Sequence, residues 1–193
     1  ALEALIHANS PTQATLLACP PWEAARLSAD LAPKWAYPCA ELQHTVIATV
    51  YLRCTDAGFA GLPRPMMALY SDAQAPAQFV FDRGALTAQP GLLAAVVSAC
   101  SAERDEVTEQ VYDQVCEQLE LTNLEVVQTV VEKRATLACT PLLNRPEPFI
   151  APGLWACGDY ICGPYPSTLE GAVRSGQQVV TQLSQMADRQ RLG

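Results

Sequence analysis

Apolar positions along the chain fall into short continuous runs and into two periods. Thr15-Leu16-Leu17-Ala18-Cys19 is an apolar run closed by Pro20-Pro21, the pattern of a buried strand and its stop. Trp22 to Leu31 reads as a helix with Pro21 at its first turn. Pro33 and Pro38 bracket an expected loop. Thr45 to Arg53 is β-branched and aromatic and reads as a strand, and Gly58 to Pro65 reads as a loop. Met66 to Tyr70 and Gln78 to Phe81 predict a hairpin, with Asp82-Arg83-Gly84 as the turn after it. Leu92 to Ala99 is a further strand. Ser101 is the expected cap of a helix that places Val107, Val111, Val115 and Leu119 on one face. Val126 to Cys139 is strand-like, with Val127, Thr129, Val131, Ala135, Leu137 and Cys139 on one side. Pro141 to Pro152 is a Pro-rich excursion. An apolar strand around Trp155 and a helix to about Arg191 close the chain.

This order lacks a regular βαβ alternation. It predicts an α+β fold, with a mostly antiparallel sheet and flanking helices from about residue 44 to 140. The Leu16 and Trp155 runs are short and continuously apolar, as in strands covered on both faces. They are expected in a second sheet.

Composition narrows the classes. Half of the 193 residues are hydrophobic and 17% are charged, enough for a sizeable core. A net charge of −8 argues against nucleic acid and against electrostatic adhesion to anionic lipid. The eight cysteines contain no CxxC pair, and neither histidine, His7 or His44, sits near a cysteine cluster, so no metal site is expected. The cysteines read as small core hydrophobes in a reducing, cytoplasmic setting. No apolar run approaches a membrane span, and no signal peptide is expected.

The most specific chemistry lies near the end. Gly153-Leu154-Trp155-Ala156-Cys157-Gly158-Asp159 is an apolar strand ending in a carboxylate. Pro166-Ser167-Thr168-Leu169-Glu170-Gly171-Ala172-Val173-Arg174-Ser175-Gly176 is a capped helix entry with small residues for close approach. A carboxylate accepts from ligand hydroxyls, and free helix N–H groups face anionic or carbonyl oxygens. The pairing closely resembles the C-terminal flavin-contact motif of the amine oxidase–phytoene desaturase superfamily of FAD enzymes.

Further segments resemble its squalene-associated desaturase branch, which contains the hydroxysqualene dehydroxylases of bacterial hopanoid synthesis. They are Cys19-Pro20-Pro21-Trp22-Glu23-Ala24-Ala25, Thr49-Val50-Tyr51-Leu52, Leu62-Pro63-Arg64-Pro65-Met66, Gln78-Phe79-Val80-Phe81-Asp82-Arg83-Gly84 and Glu132-Lys133-Arg134-Ala135-Thr136. The resemblance runs from about Thr15 to Val180 and corresponds to the C-terminal part of such an enzyme. The dinucleotide-binding GxGxxG unit is not among these residues. The resemblance therefore implies residues 1–24 as a remnant of an FAD-binding α/β domain, 25–150 as the substrate domain, and 151–193 as the FAD-contact strand and helix.

By position, the resemblance assigns FAD contacts to Gly158, Asp159, Ser167, Thr168 and Leu169. It implies a polyisoprenoid substrate and removal of an allylic hydroxyl from hydroxysqualene to give squalene. A carotenoid or phytoene desaturase-like activity is the enzyme alternative, and a non-catalytic lipid-binding module the other. Asp82 and Tyr51 are candidates for the polar end of the site, and Phe79 and Phe81 for its walls. The plainer reading makes the two phenylalanines core and Asp82 a turn residue. His44, Lys34-Trp35 and Glu132-Lys133-Arg134 read as local packing or solvated positions. Cys162 is the thiol to inspect beside a flavin. Three expectations complete the set: this stretch alone binds no flavin, it self-associates through incomplete edges, and the whole enzyme contacts a membrane peripherally.

Overall fold

The computed structural model describes residues 14–192, with side chains described through residue 188; His7 lies outside them. In chain order the elements are β1 (Thr15–Leu17), α1 (Pro21–Ser28), α2 (Pro33–Ala40), β2 (His44–Cys54), β3 (Met66–Ala68), β4 (Phe79–Asp82), α3 (Arg83–Thr87), β5 (Leu92–Ser98), α4 (Arg104–Leu119), β6 (Leu124–Leu137), β7 (Phe149–Ala151), β8 (Leu154–Ala156) and α5 (Leu169–Leu192). They form two compact units. One holds the two ends, 14–43 and 137–192; the other is His44–Thr136.

The middle unit is a five-stranded sheet in the order β3-β4-β5-β2-β6. The pairings β3–β4, β4–β5 and β5–β2 are antiparallel: Tyr51 lies opposite Ala94, Ala94 opposite Phe81, and Phe81 opposite Met66. Alternation decides its faces. Ala48, Val50, Leu52, Val80, Leu93, Ala95 and Val97 are buried and pack with Val107, Val111 and Val115 of α4. Each fully buried valine contributes about 1.5–3 kcal/mol of hydrophobic stabilisation. Gln114, also on α4, is buried but saturated: its amide donates to the carbonyls of Tyr70 and Ala77 and accepts from the Ala77 N–H. A buried amide with every partner in place costs little.

The end unit is a three-stranded sheet in the order β1-β8-β7. β1 runs parallel to β8 and β7 antiparallel to it. A core of Leu17, Ala24, Ala25, Ala36, Cys39, Leu137, Ile150, Leu154, Ala156, Tyr160 and Ile161 joins the strands to α1 and α2. Residues 25–43 and 137–150 pack here rather than with the middle sheet, because the apolar faces of α1 and α2 are buried against β1 and β8. β8 is buried throughout, whereas Leu16 on the edge strand β1 is exposed.

The α+β architecture and its antiparallel sheet are as expected. Three local readings change. Pro33 to Pro38 is not a loop but most of α2: Pro33 occupies its first turn, where a missing N–H is harmless, and burial of Ala36 and Cys39 compensates for Pro38 inside the helix. Asp82-Arg83-Gly84 is not a turn but the start of α3, with Asp82 as N-cap. Ser101 caps nothing; α4 begins after Glu103 without a side-chain cap, and Asp105 and Glu106 in its first turn favour the helix dipole instead.

Candidate cofactor site

The site grows from the end of β8. The Leu154-Trp155-Ala156 triplet is buried because β8 is the central strand, with Trp155 edge-on to Phe149 at 5.1 Å. Just beyond it the Cys157 N–H donates to the Leu17 carbonyl, and the Gly158 N–H to Ser175 Oγ at 2.9 Å. Gly158 is required sterically: a Cβ there would lie 2.5 Å from the buried Tyr160 ring. Ser175 is buried on α5, and its hydroxyl donates a hydrogen bond to the Ala172 carbonyl at 2.8 Å. It thereby ties the strand end to the helix.

The helix entry is built by the preceding loop. Thr168 is the cap: its hydroxyl donates to the Tyr165 carbonyl at 2.7 Å and accepts from the Gly171 N–H at 3.0 Å. Its carbonyl takes the Ala172 N–H, the first turn's bond. Tyr165 and Ser167 both stand in the left-handed region, at φ 61° and 58°. That conformation costs a non-glycine residue about 1–2 kcal/mol. The loop bonds offset it: Ser167 Oγ accepts from the Leu137 N–H at 2.8 Å, and the Ser167 N–H donates to the Asp159 carbonyl at 3.1 Å. Gly171 admits this close packing, since a Cβ would lie 2.2 Å from the Tyr165 carbonyl oxygen.

Two kinds of group are left over. The half-buried Asp159 carboxylate has no hydrogen-bond or ion-pair partner among the described residues. The N–H groups of Leu169 and Glu170, in the first turn of α5, likewise have none, and Leu169 is 89% exposed. The Asp159–Ser167 backbone bond fastens both to one place. A hydroxyl-bearing chain for Asp159 and a carbonyl or anionic edge for the N–H groups are the chemistry this donor–acceptor set accepts. The ribityl chain and pyrimidine edge of a flavin supply both, so the residues fit FAD.

The other expected residues lie in the middle unit. Tyr51, Phe79 and Phe81 share the sheet face opposite α4, since Tyr51–Ala94–Phe81–Met66 and Thr49–Val96–Phe79–Ala68 are cross-strand rows. Phe79 is 40% exposed and Met66 is also exposed, so the phenylalanines are not core. Asp82 points to the opposite face. It is 2% exposed, and its oxygens accept from the N–H groups of Leu62, Gly84 and Ala85 at 2.8, 2.8 and 3.2 Å. The structure gives Asp82 the task of capping α3 and anchoring the Gly61-Leu62 loop, not a place beside Tyr51.

All eight cysteines are free. Burial raises the Cys19 and Cys157 thiols above their usual range and pushes Cys39 up to about 12, so these thiols stay protonated and inert. Burial raises the neighbouring Tyr160 hydroxyl as well, and no hydrogen-bond partner for it occurs among the described residues. Cys162 is exposed in the loop between Asp159 and Thr168. Lys34 and Trp35 lie in α2, where the Trp35 indole N–H donates to the Glu147 carbonyl.

Sequence reading passed over Ser175 and Arg145. Ser175 lay inside the quoted motif without a role. Arg145 had one visible signal: it is the sole basic residue between Arg134 and Arg174, set in a Pro-rich excursion.

Solved structures define the class of fold. The chain is similar to a protoporphyrinogen oxidase-like protein from Exiguobacterium sp. 255-15, with TM-score 0.60 at 15% identity over 88% of this chain and 40% of that one. It is similar to the PF1083 protein of Pyrococcus furiosus, with TM-score 0.61 at 12% identity over 89% and 41%. It is also similar to an oxidoreductase from Methanosarcina mazei, with TM-score 0.53 at 13% identity over 82% and 41%. The fold is thus one found in oxidoreductases. In sequence, the chain is 36% identical over 81 residues to hydroxysqualene dehydroxylase of Rhodopseudomonas palustris, 40% of this chain and 19% of that protein. That match bears out the resemblance to the squalene-associated branch of the amine oxidase superfamily. No protein-family model matches the chain. The chain spans about two-fifths of the length of the solved structures it resembles.

Proposed function

We propose that this chain is the C-terminal part of an FAD-dependent oxidoreductase that acts on a polyisoprenoid, converting hydroxysqualene to squalene in hopanoid synthesis. The observation that carries the reading is the unpaired Asp159 carboxylate, tied through its own backbone to the entry of a helix with two N–H groups unused. Asp159 would hold the ribityl hydroxyls of FAD. Leu169 and Glu170 would face the pyrimidine edge, where positive N–H ends favour the charge of a reduced ring. Gly158, Ser167 and Thr168 hold those groups in place through their backbone and hydroxyls.

Reduced FAD, when bound, would supply the hydride and, on returning to its oxidised form, the proton with which the displaced allylic hydroxyl would leave as water. The chain's part is to bind and orient. Phe79, Phe81 and Met66 offer an apolar, aromatic face to a hydrocarbon, and aromatic faces favour allylic cation character. Tyr51, half-buried on that same face, carries the one hydroxyl in its row and would hydrogen-bond the leaving group. No helix among the described residues is long and apolar enough to cross a membrane. A water-insoluble substrate would then be met by peripheral contact.

The test is flavin binding and product analysis in the whole flavoprotein. Asp159→Ala is expected to weaken FAD by about tenfold or more, the cost of a lost charge-assisted hydrogen bond. Wild-type affinity in that variant would remove the flavin site. Conversion of hydroxysqualene to squalene supports the dehydroxylase, whereas desaturation of phytoene would support a carotenoid-type enzyme. Binding of either lipid without turnover or flavin would leave a lipid-binding module.

A further inference from the structure

The segment from Cys157 to Thr168 carries candidate cofactor contacts at both ends and no helix or strand between them. Its ends are held by the Gly158–Ser175 and Ser167–Asp159 bonds. In its middle, Tyr160 and Ile161 are buried in the core of the end unit, and hydrogen bonds tie the main chain to one neighbouring stretch, Arg145 to Glu147. Arg145 Nη1 donates to the Ile161 carbonyl at 2.9 Å, and Nη2 donates to the Gly163 carbonyl. The adjacent Pro146 carbonyl accepts from the Cys162 N–H at 2.8 Å. The next carbonyl, of Glu147, accepts from the Trp35 indole N–H at 2.8 Å, which fastens the stretch to α2.

Arg145 is half-buried and makes no ion pair among the described residues. Its charge is spent on two main-chain carbonyls that converge on one point. Convergent carbonyl dipoles repel unless a donor lies between them. A planar guanidinium meets two at once, where an ammonium is a single point charge without that fork. Without this fork, the hydrogen bond that ties the middle of the loop to Arg145–Glu147 among the described residues is that from the Cys162 N–H to the Pro146 carbonyl.

We propose that Arg145 is the positioning residue of the cofactor loop, holding the Asp159 carboxylate and the Leu169 and Glu170 N–H groups in the arrangement a flavin requires. The inference rests on the flavin reading above and adds to it a residue that touches no cofactor itself.

Arg145→Ala, Arg145→Lys and Asp159→Ala separate the two ideas. In the whole flavoprotein, Arg145→Ala is expected to weaken FAD by about tenfold, with Arg145→Lys in between. Amide hydrogen exchange, followed without flavin, should quicken by about tenfold at Cys162 and Ser167 in Arg145→Ala, while amides of His44–Thr136 stay as in the wild type. Millimolar guanidinium ion should restore both affinity and protection to Arg145→Ala and neither to Asp159→Ala. Wild-type FAD affinity in Arg145→Ala overturns the proposal. So does weakened affinity with unchanged exchange at Cys162 and Ser167, or without rescue by guanidinium. Should Arg145→Ala not fold, Arg145→Lys decides: affinity and exchange equal to the wild type overturn it. Wild-type affinity in Asp159→Ala sinks the flavin reading instead, and exchange with guanidinium rescue still shows whether Arg145 holds the loop.

Discussion

The middle unit and the end unit are built on opposite plans. The middle unit is one continuous stretch whose strands of up to 14 residues pair in antiparallel order and bury one face on a single amphipathic helix. The end unit joins two stretches far apart in sequence through strands of three residues. Its precision comes from side chains that bond the backbone: Ser167, Thr168, Ser175, Arg145 and Trp35. The contrast teaches where each kind of chemistry can live. A regular sheet offers a broad apolar face, suited to a hydrocarbon. A loop pinned by hydroxyls and a guanidinium can leave a carboxylate and two N–H groups unspent, suited to a polar cofactor.

Substitutions can break that contrast. The largest effect is expected from Gly171→Ala in the end unit. The added methyl would meet the Tyr165 carbonyl at 2.2 Å, so overpacking costs about 3 kcal/mol despite the better helix propensity of alanine. Urea denaturation should show it, together with loss of flavin binding in the whole protein. A stable, flavin-binding Gly171→Ala protein would mean the helix entry is less tightly held than its contacts imply.

Asp82→Ala in the middle unit comes next. It strips three backbone N–H groups of their acceptor and should cost about 2 kcal/mol, with Asp82→Asn milder because one oxygen remains. Flavin affinity should not move. If Asp82→Asn instead keeps full stability and abolishes turnover, Asp82 has the catalytic part and the division between the units fails.

Thr168→Ala is the smallest. Loss of one helix cap should cost about 1 kcal/mol in thermal or urea unfolding. It sharpens the comparison through flavin: affinity should fall, because the Gly171 N–H loses its acceptor and the first turn loosens. Equal flavin affinity in this variant would show that the cap serves stability alone.

Much of the middle unit was legible because its signals are local. Val107, Val111 and Val115 recur at helical spacing and Thr45 to Arg53 is β-branched and aromatic, so the element types, and for the helix its buried face, follow from the order of residues alone. The exceptions occur where a neighbour overrides propensity. Pro33 and Pro38 signal a break, yet burial of Ala36 and Cys39 keeps the helix. Asp82-Arg83-Gly84 suits a turn or a capped helix equally, and the Leu62 N–H reaching back to the carboxylate settles the buried orientation.

The cofactor end was legible as a motif and not as a mechanism. Order and composition alone marked a strand ending in Gly158-Asp159, a helix capped near Thr168 and small residues at Gly171. These demands are local: a chain reversal, a side-chain acceptor, a missing Cβ. Tertiary structure alone decided which polar groups are used up. Ser175 reaches Gly158, Leu137 reaches Ser167, and Arg145 gathers the Ile161 and Gly163 carbonyls, each contact joining residues 16 to 30 positions apart. A hydrogen bond is a property of two partners in space, so the groups left free for a ligand emerge only when every other partner has been placed. By the same reasoning Tyr51, Phe79 and Phe81 became one face, and Asp82 left it, only when strand register set which residues lie side by side.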